Sequence, residues 1–281
     1  MKTCFIDSKD SHHFVHSFPC VLAIGFFDGV HRGHQKVIQT AVKIAQEKNL
    51  KVGVMTFSPH PREVIGKEKV ERLSTFSQKE ALIRELGVDY LYVVAFNRNV
   101  QRLPPELFVK DYILRLQAKH VVVGFDFTYG AFGKGNVHRL REDGGYSFDV
   151  TVIDKIEHSK LKVSSTFIRK SLSEGKLERV TSCLGYHYKT IGFLHYIDES
   201  KLVFNNHQNM LPKSGEYEAI VKYGDYSFHT NIYCENFLNN VYVSHFHFFP
   251  VPSKEEPIEI QWLHRISANT LQPFEPFIVN L

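Results

Sequence analysis

Two histidines three residues apart stand in the string Gly25-Phe26-Phe27-Asp28-Gly29-Val30-His31-Arg32-Gly33-His34, directly after an apolar run that begins at Cys20. Glycines at such a place let the backbone approach a phosphate, and the N-terminus of a following helix offers unpaired N–H groups to it. Imidazole N–H donors suit the charge that develops on a phosphoryl oxygen during group transfer. A helix cap with two surface histidines is the plain alternative for an isolated HxGH, and the full ten-residue string argues against it. A second segment, Val163-Ser164-Ser165-Thr166-Phe167-Ile168-Arg169, has the hydroxyls that cap a helix and an arginine one turn inside it. Its guanidinium is a permanent planar fork suited to phosphate. Alone, that segment reads equally well as an ordinary capped helix.

These residues need a scaffold, and the sequence predicts one. Cys20–Phe27, Val52–Phe57, Tyr90–Phe96, His120–Phe125 and Phe148–Ile153 are short apolar runs rich in β-branched and aromatic residues, without polar alternation. Such runs are strands buried on both faces, as in parallel sheets. Gln35–Lys48, Lys79–Leu86 and Pro105–Leu116 carry apolar residues at three-to-four spacing and predict helices between them. The alternation gives an α/β fold, a doubly wound parallel-sheet domain, in which ligands bind beyond the carboxyl ends of the strands. After Cys183 the pattern changes to short strands: Thr190–Tyr196, Tyr217–Tyr223, Tyr226–Tyr233, Val241–Phe249 and Ile258–Ile266. They predict a small antiparallel β-barrel domain. The expected division is 1–185 for the first domain and 186–281 for the second.

With 281 residues, 43% hydrophobic and 23% charged, the chain has enough apolar material for a real core. A net charge of +4 is too small to argue for nucleic acid as a partner and agrees with anionic small ligands. Cys4, Cys20, Cys183 and Cys234 have neither metal-ligand nor redox-pair spacing. Met1–Asp10 lacks a leader's apolar run, and no stretch has the ~20 apolar residues that cross a bilayer. A cytoplasmic protein with no membrane partner is the expectation.

The GFFDGVHRGH and SSTFIR strings resemble the HxGH-type nucleotidylyltransferase superfamily. Two further strings narrow the resemblance to the bacterial riboflavin kinase/FAD synthetase family, in its N-terminal FMN adenylyltransferase half. They are Thr56-Phe57-Ser58-Pro59-His60-Pro61 and Gly124-Phe125-Asp126-Phe127-Thr128-Tyr129-Gly130, and the likeness runs over about residues 18–185. It implies the reaction of ATP with FMN to give FAD and pyrophosphate, with magnesium carried on the ATP phosphates and no dedicated protein ligands for the metal. By the same resemblance, His31, His34, Ser165, Thr166 and Arg169 are the catalytic set. Gly25, Phe26, Phe27, Asp28, Gly29, Gly33 and Ser164 join them around ATP, and Phe57, Pro59, His60, Pro61, Asp126, Phe127 and Tyr129 face the flavin. Asp126 departs from members that carry Asn there, and it cannot donate a hydrogen bond at neutral pH.

The second half departs further. The family's kinase barrel should open with a GFPTAN-like string, and here Gly185–Tyr196 reads GYHYKTIGFLHY. Leu211-Pro212-Lys213-Ser214-Gly215-Glu216-Tyr217 keeps the family's LPxxGxY turn, so the barrel itself is expected without its kinase site. The leading expectation is an FMN adenylyltransferase without riboflavin kinase activity. The alternatives are the bifunctional enzyme, a related transferase with a different phosphorylated acceptor, and a flavin- or nucleotide-binding regulatory protein without turnover. His245 and His247 alternate on an expected strand, and His12-His13 reads as a solvated segment.

Overall fold

The computed structural model describes residues 1–7, 18–66, 70–158, 161–198, 201–205, 209–235, 240–243 and 257–266. They divide into two compact units, Met1–Ser165 and Thr166–Leu281. His12, His13, His245 and His247 lie outside the described residues.

The first unit is built on a six-stranded parallel sheet of β1 (Lys2–Ile6), β2 (Cys20–Ile24), β3 (Lys51–Ser58), β4 (Tyr90–Ala95), β5 (Ala118–Gly124) and β6 (Asp149–Ile153). The spatial order is β1-β4-β3-β2-β5-β6, with every neighbouring pair parallel. From β2 the chain fills β3 and β4 on one side, then crosses to β5 on the other. The switch point therefore lies between β2 and β5, where the carboxyl ends of two neighbouring strands diverge. The loops leaving those two ends carry the HxGH and GFDFTYG strings.

Each face of the sheet has its own core. On one, helix α1 (Arg32–Lys48) packs Val37, Ile38, Ala41 and Ala45 against Val21, Ala23, Val52 and Val54 of the strands. Helix α2 (Phe76–Glu85) adds Ile83 to the same layer. On the other, Leu22, Ile24, Met55 and Phe57 meet Phe108, Tyr112 and Ile113. The unbroken apolar runs follow from this coverage on both sides. Helix α1 ends on Asn49 in the left-handed conformation (φ 52°), and α2 begins with a capping box between Thr75 and Gln78. The helix expected over Pro105–Leu116 is a short α-turn, Pro105–Phe108, continued by wider turns over Val109–Leu114.

The second unit begins with helices α3 (Ser165–Ser173, from its second residue) and α4 (Leu177–Leu184). They lead into a closed barrel of β7 (Lys189–Asp198), β8 (Lys201–Asn205), β9 (Gly215–Tyr223), β10 (Tyr226–Glu235), β11 (Asn240–Val243) and β12 (Pro257–Arg265). Their order around the barrel is β7-β8-β11-β10-β9-β12. Along β9, Tyr217, Ala219, Val221 and Tyr223 are buried in strict alternation. Inside, Trp262 is sealed and its indole N–H donates to Thr190 Oγ1 at 3.0 Å. The LPxxGxY turn is closed by Tyr217, whose hydroxyl donates to Lys213 O at 2.5 Å. Gly215 (φ 151°) takes a backbone conformation that residues with side chains rarely adopt, and it lies against the Arg265 guanidinium.

The contact boundary at Ser165 differs from the sequence boundary at 185. Helices α3 and α4 pack with the barrel: Lys213 N–H donates to Leu172 O, and Gly175 lies against Tyr217 and Arg265. Among the described residues no helix is long and apolar enough to cross a membrane.

Candidate active site

The loop after β2 holds its shape through buried polar contacts. Phe27 takes a left-handed conformation (φ 57°), and its ring is buried beneath the loop, edge-on to His34 at 5.3 Å. That ring occupies the space a side chain at position 25 would need, since a Cβ on Gly25 would lie 2.9 Å from it. Asp28 is buried, and its carboxylate accepts the backbone N–H groups of Leu73 at 3.0 and 3.1 Å and of Ser74 at 3.2 Å. Gly29 N–H donates to Ser74 Oγ at 3.1 Å. Asp28 therefore ties the loop to the segment before α2.

His31 caps α1. Its Nδ1 accepts the His34 backbone N–H at 3.3 Å, so in the neutral ring the proton is on Nε2, which can then serve as a donor. The His31 and His34 rings stack with centroids 3.5 Å apart. Gly33 makes the stack possible, because a Cβ there would lie 3.1 Å from the His31 ring. The Nδ1 of His34 is buried without a hydrogen-bond partner among the described residues. Burial first, then the neighbouring His31 and Lys79, hold the His34 imidazole well below its ordinary pKa. Two stacked imidazoles of which one stays neutral form a donor surface that does not repel itself.

Ser165 joins this loop through its hydroxyl, which donates to Asp28 O at 3.3 Å. Ser164 precedes it, half-buried. Thr166, exposed, and Arg169, half-buried, continue along α3 in the second unit.

The TFSPHP and GFDFTYG strings border a cavity of about 700 Å³ in the first unit. Phe57, Pro61, Phe127 and Tyr129 line it, together with Phe96 and Phe108, which the sequence reading did not single out. Pro59, His60 and Asp126 are not among its lining residues. Asp126 is exposed, and His60 packs against the Phe26 ring at 4.0 Å. Tyr129 is fixed by its hydroxyl, which donates to Asp143 at 2.5 Å, while Arg139 holds the other oxygen of that carboxylate at 2.7 Å. Burial and this bond push the Tyr129 phenol far above its usual pKa. Gly130 (φ 71°) must pass Pro105, whose backbone would be 2.7 Å from a Cβ.

The sequence reading also missed Lys79. It sits on α2, 6% exposed, with Nζ donating to Phe26 O at 3.2 Å and to Thr56 Oγ1 at 3.0 Å. The one available signal was a lysine on what is otherwise the apolar stripe of a helix, four residues before Ile83.

A parallel sheet with an HxGH loop at its switch point and an aromatic cavity beside it defines the class, an α/β domain of the nucleotidylyltransferase fold. The sequence model of FAD synthetase matches residues 15–167, and the chain belongs to the FAD synthetase family. A FAD synthetase of Listeria monocytogenes is 32% identical over 202 residues, covering 71% of this chain and 80% of that protein. Bifunctional riboflavin kinase/FMN adenylyltransferases of Listeria monocytogenes and Bacillus subtilis are 39% and 40% identical over 70% and 71% of this chain. The match spans 66% and 64% of the length of those two relatives. A solved structure described as a macrolide-efflux protein from Streptococcus pneumoniae has a TM-score of 0.84, covering 98% of this chain and 94% of that one. At 23% identity the likeness is one of fold.

Proposed function

We propose that the chain is an FMN adenylyltransferase, joining FMN to the adenylyl group of ATP to give FAD and pyrophosphate. A phosphate oxygen of FMN forms the new bond to the α-phosphorus of ATP, and the bond from that phosphorus to the bridging oxygen of the β-phosphate breaks. No covalent enzyme intermediate is needed, since such a transfer asks the protein chiefly for positioning and charge stabilisation. The carrying observation is the position of Phe57. It walls the 700 Å³ aromatic cavity and also the small cleft beside Phe26 and Asp28 of the HxGH loop. A flat ring held against Phe57, Phe127 and Tyr129 would thus present its phosphate tail toward that loop.

His31 would donate from Nε2 to the α-phosphate as negative charge gathers there, with His34 stacked behind it as a neutral support. Ser165, Thr166 and Arg169 are assigned by the resemblance to the β- and γ-phosphates, which leave as pyrophosphate. Magnesium is expected to arrive on ATP. Asp28, the one carboxylate in the loop, already accepts from Leu73 and Ser74, which supports that view. A cytoplasmic compartment is proposed from the scattered spacing of the four cysteines.

We further propose that the barrel lacks riboflavin kinase activity. Where a GFPTAN-like string is expected, Gly185 ends α4 and Lys189–Asp198 form the single strand β7. The second reading, a bifunctional enzyme, is favoured by the names of the relatives aligned over 70% of the chain. Incubation with ATP and magnesium, once with FMN and once with riboflavin, followed by chromatography, decides. FAD from FMN and no product from riboflavin is the expected result. FMN formed from riboflavin would overturn the loss of the kinase, and no FAD from FMN would overturn the adenylyl transfer.

A further inference from the structure

Lys79 is a buried cation with no anion in hydrogen-bond contact among the described residues. All its polar contacts are to neutral groups, the Phe26 carbonyl and the Thr56 hydroxyl, and its Nζ stands 4.6 Å over the Phe26 ring. Two of its three N–H donors are thereby used. An ammonium taken out of water is costly unless a charge partner replaces its hydration. Asp28 favours the charged form from nearby, but its carboxylate is engaged by the Leu73 and Ser74 amides. Arg72, held by Glu63 at 3.1 Å, adds a second positive charge that works against Lys79. Burial leads these effects and brings the ammonium down to about 8, so it remains protonated at neutral pH.

The same cleft supplies a place for the missing anion. Lys79, Arg72, Ser74 and His60 line it beside Phe57, and Phe26 and the amide-bound carboxylate of Asp28 close the side toward the HxGH loop. Its free space is about 20 Å³, which admits one oxygen-sized group and excludes a ring or a base. Phe57 forms the wall between this cleft and the large aromatic cavity.

We propose that Lys79 is a binding residue for the acceptor's phosphate, receiving one oxygen of a phosphate monoester whose ring system fills the cavity on the far side of Phe57. This rests on the reading of the cavity as a flavin site and deepens it. The buried ammonium discriminates a phosphorylated flavin from an unphosphorylated one, where the aromatic walls treat both alike. The cleft meets the HxGH loop at Phe26 and Asp28 and the cavity at Phe57, and the phosphate assigned to it is the acceptor's, because a tail leaving a ring held against Phe57 reaches it first.

The test is flavin fluorescence quenching by the intact chain, with FMN and riboflavin titrated separately at pH 7 and pH 9. The wild type is expected to bind FMN at least about tenfold more tightly than riboflavin at pH 7, as a charge-assisted contact provides. That advantage should shrink at pH 9, where Lys79 loses its proton and the phosphate remains dianionic. Lys79→Gln should abolish the advantage and leave riboflavin binding and the KM for ATP unchanged. Lys79→Arg should retain the advantage at both pH values, because a guanidinium does not titrate there. Equal affinity of the wild type for the two flavins would overturn the proposal. So would equal weakening of both flavins by Lys79→Gln, the mark of a merely structural lysine, or a loss confined to ATP, which would move the phosphate to the nucleotide. If neither flavin is quenched by the wild type, the flavin reading of the cavity falls first and the subsite with it. If Lys79→Gln fails to fold, the wild-type pH contrast and its absence in Lys79→Arg still decide.

Discussion

Replacing Asp28 by alanine would leave the Leu73 and Ser74 amides, both in buried residues, without their acceptor. An unsatisfied buried donor costs about 1–3 kcal/mol, so two of them cost about 2–6 kcal/mol of local stability in the segment that braces the HxGH loop. At about 1.4 kcal/mol per factor of ten, amide exchange of Leu73 and Ser74 should accelerate by about 25-fold or more. Hydrogen exchange read over these residues is the assay. Trp262 emission is the control, because the sole tryptophan is sealed in the barrel of the second unit. Asp28→Asn keeps one acceptor oxygen and should lose less than about 1 kcal/mol, with exchange close to wild type. Unchanged exchange in the alanine variant would refute the reasoning. An asparagine variant with normal exchange and FAD formation reduced a hundredfold would also refute it, since the charge would then be serving the nucleotide.

Gly33→Ala would put a methyl group 3.1 Å from the His31 ring, and since the cap must tilt to escape it, turnover should fall by about tenfold or more with the fold intact by far-UV circular dichroism. His34 stays neutral when folded and takes a proton when unfolded below about pH 6.5, so the first unit should lose stability as pH falls below that value. His34→Gln should remove this share of the acid sensitivity, measured as denaturation midpoints at pH 5.5 and 7.5. Asp143→Asn weakens the acceptor that holds Tyr129 and Arg139, and should raise the KM for FMN several-fold with little change in the KM for ATP.

Much of this was legible from the sequence, and the exceptions have physical causes. The apolar runs at Cys20, Val52, Tyr90 and His120 announced central strands because parallel strands buried on both faces cannot hide their composition. Strand β1 was not read, because at the sheet's edge Lys2 to Phe5 need no burial, and only Ile6 is fully covered. Strand β8 escaped for a different reason, being only five residues long with polar ends. The HxGH loop was found from residue types, yet the role of Asp28 was not, because its partners lie 45 and 46 residues away. Lys79 was invisible for the same reason: its partners, Phe26 and Thr56, come to it only through the fold.

Strand β3 delivers two opposed surfaces from adjacent residues. Thr56 turns toward Lys79 and the Phe26 carbonyl, and Phe57 turns through the sheet to the aromatic cavity. The pleat permits this only while the strand keeps its register of Thr56 against Val93 and Phe57 against Val94. Gaining or losing a single residue within Lys51–Ser58 would exchange the two faces, taking the hydroxyl away from the ammonium and the phenyl ring away from the aromatic cavity. Length variation among descendants of this sequence is therefore barred from the strand and pushed into the segments on either side of it.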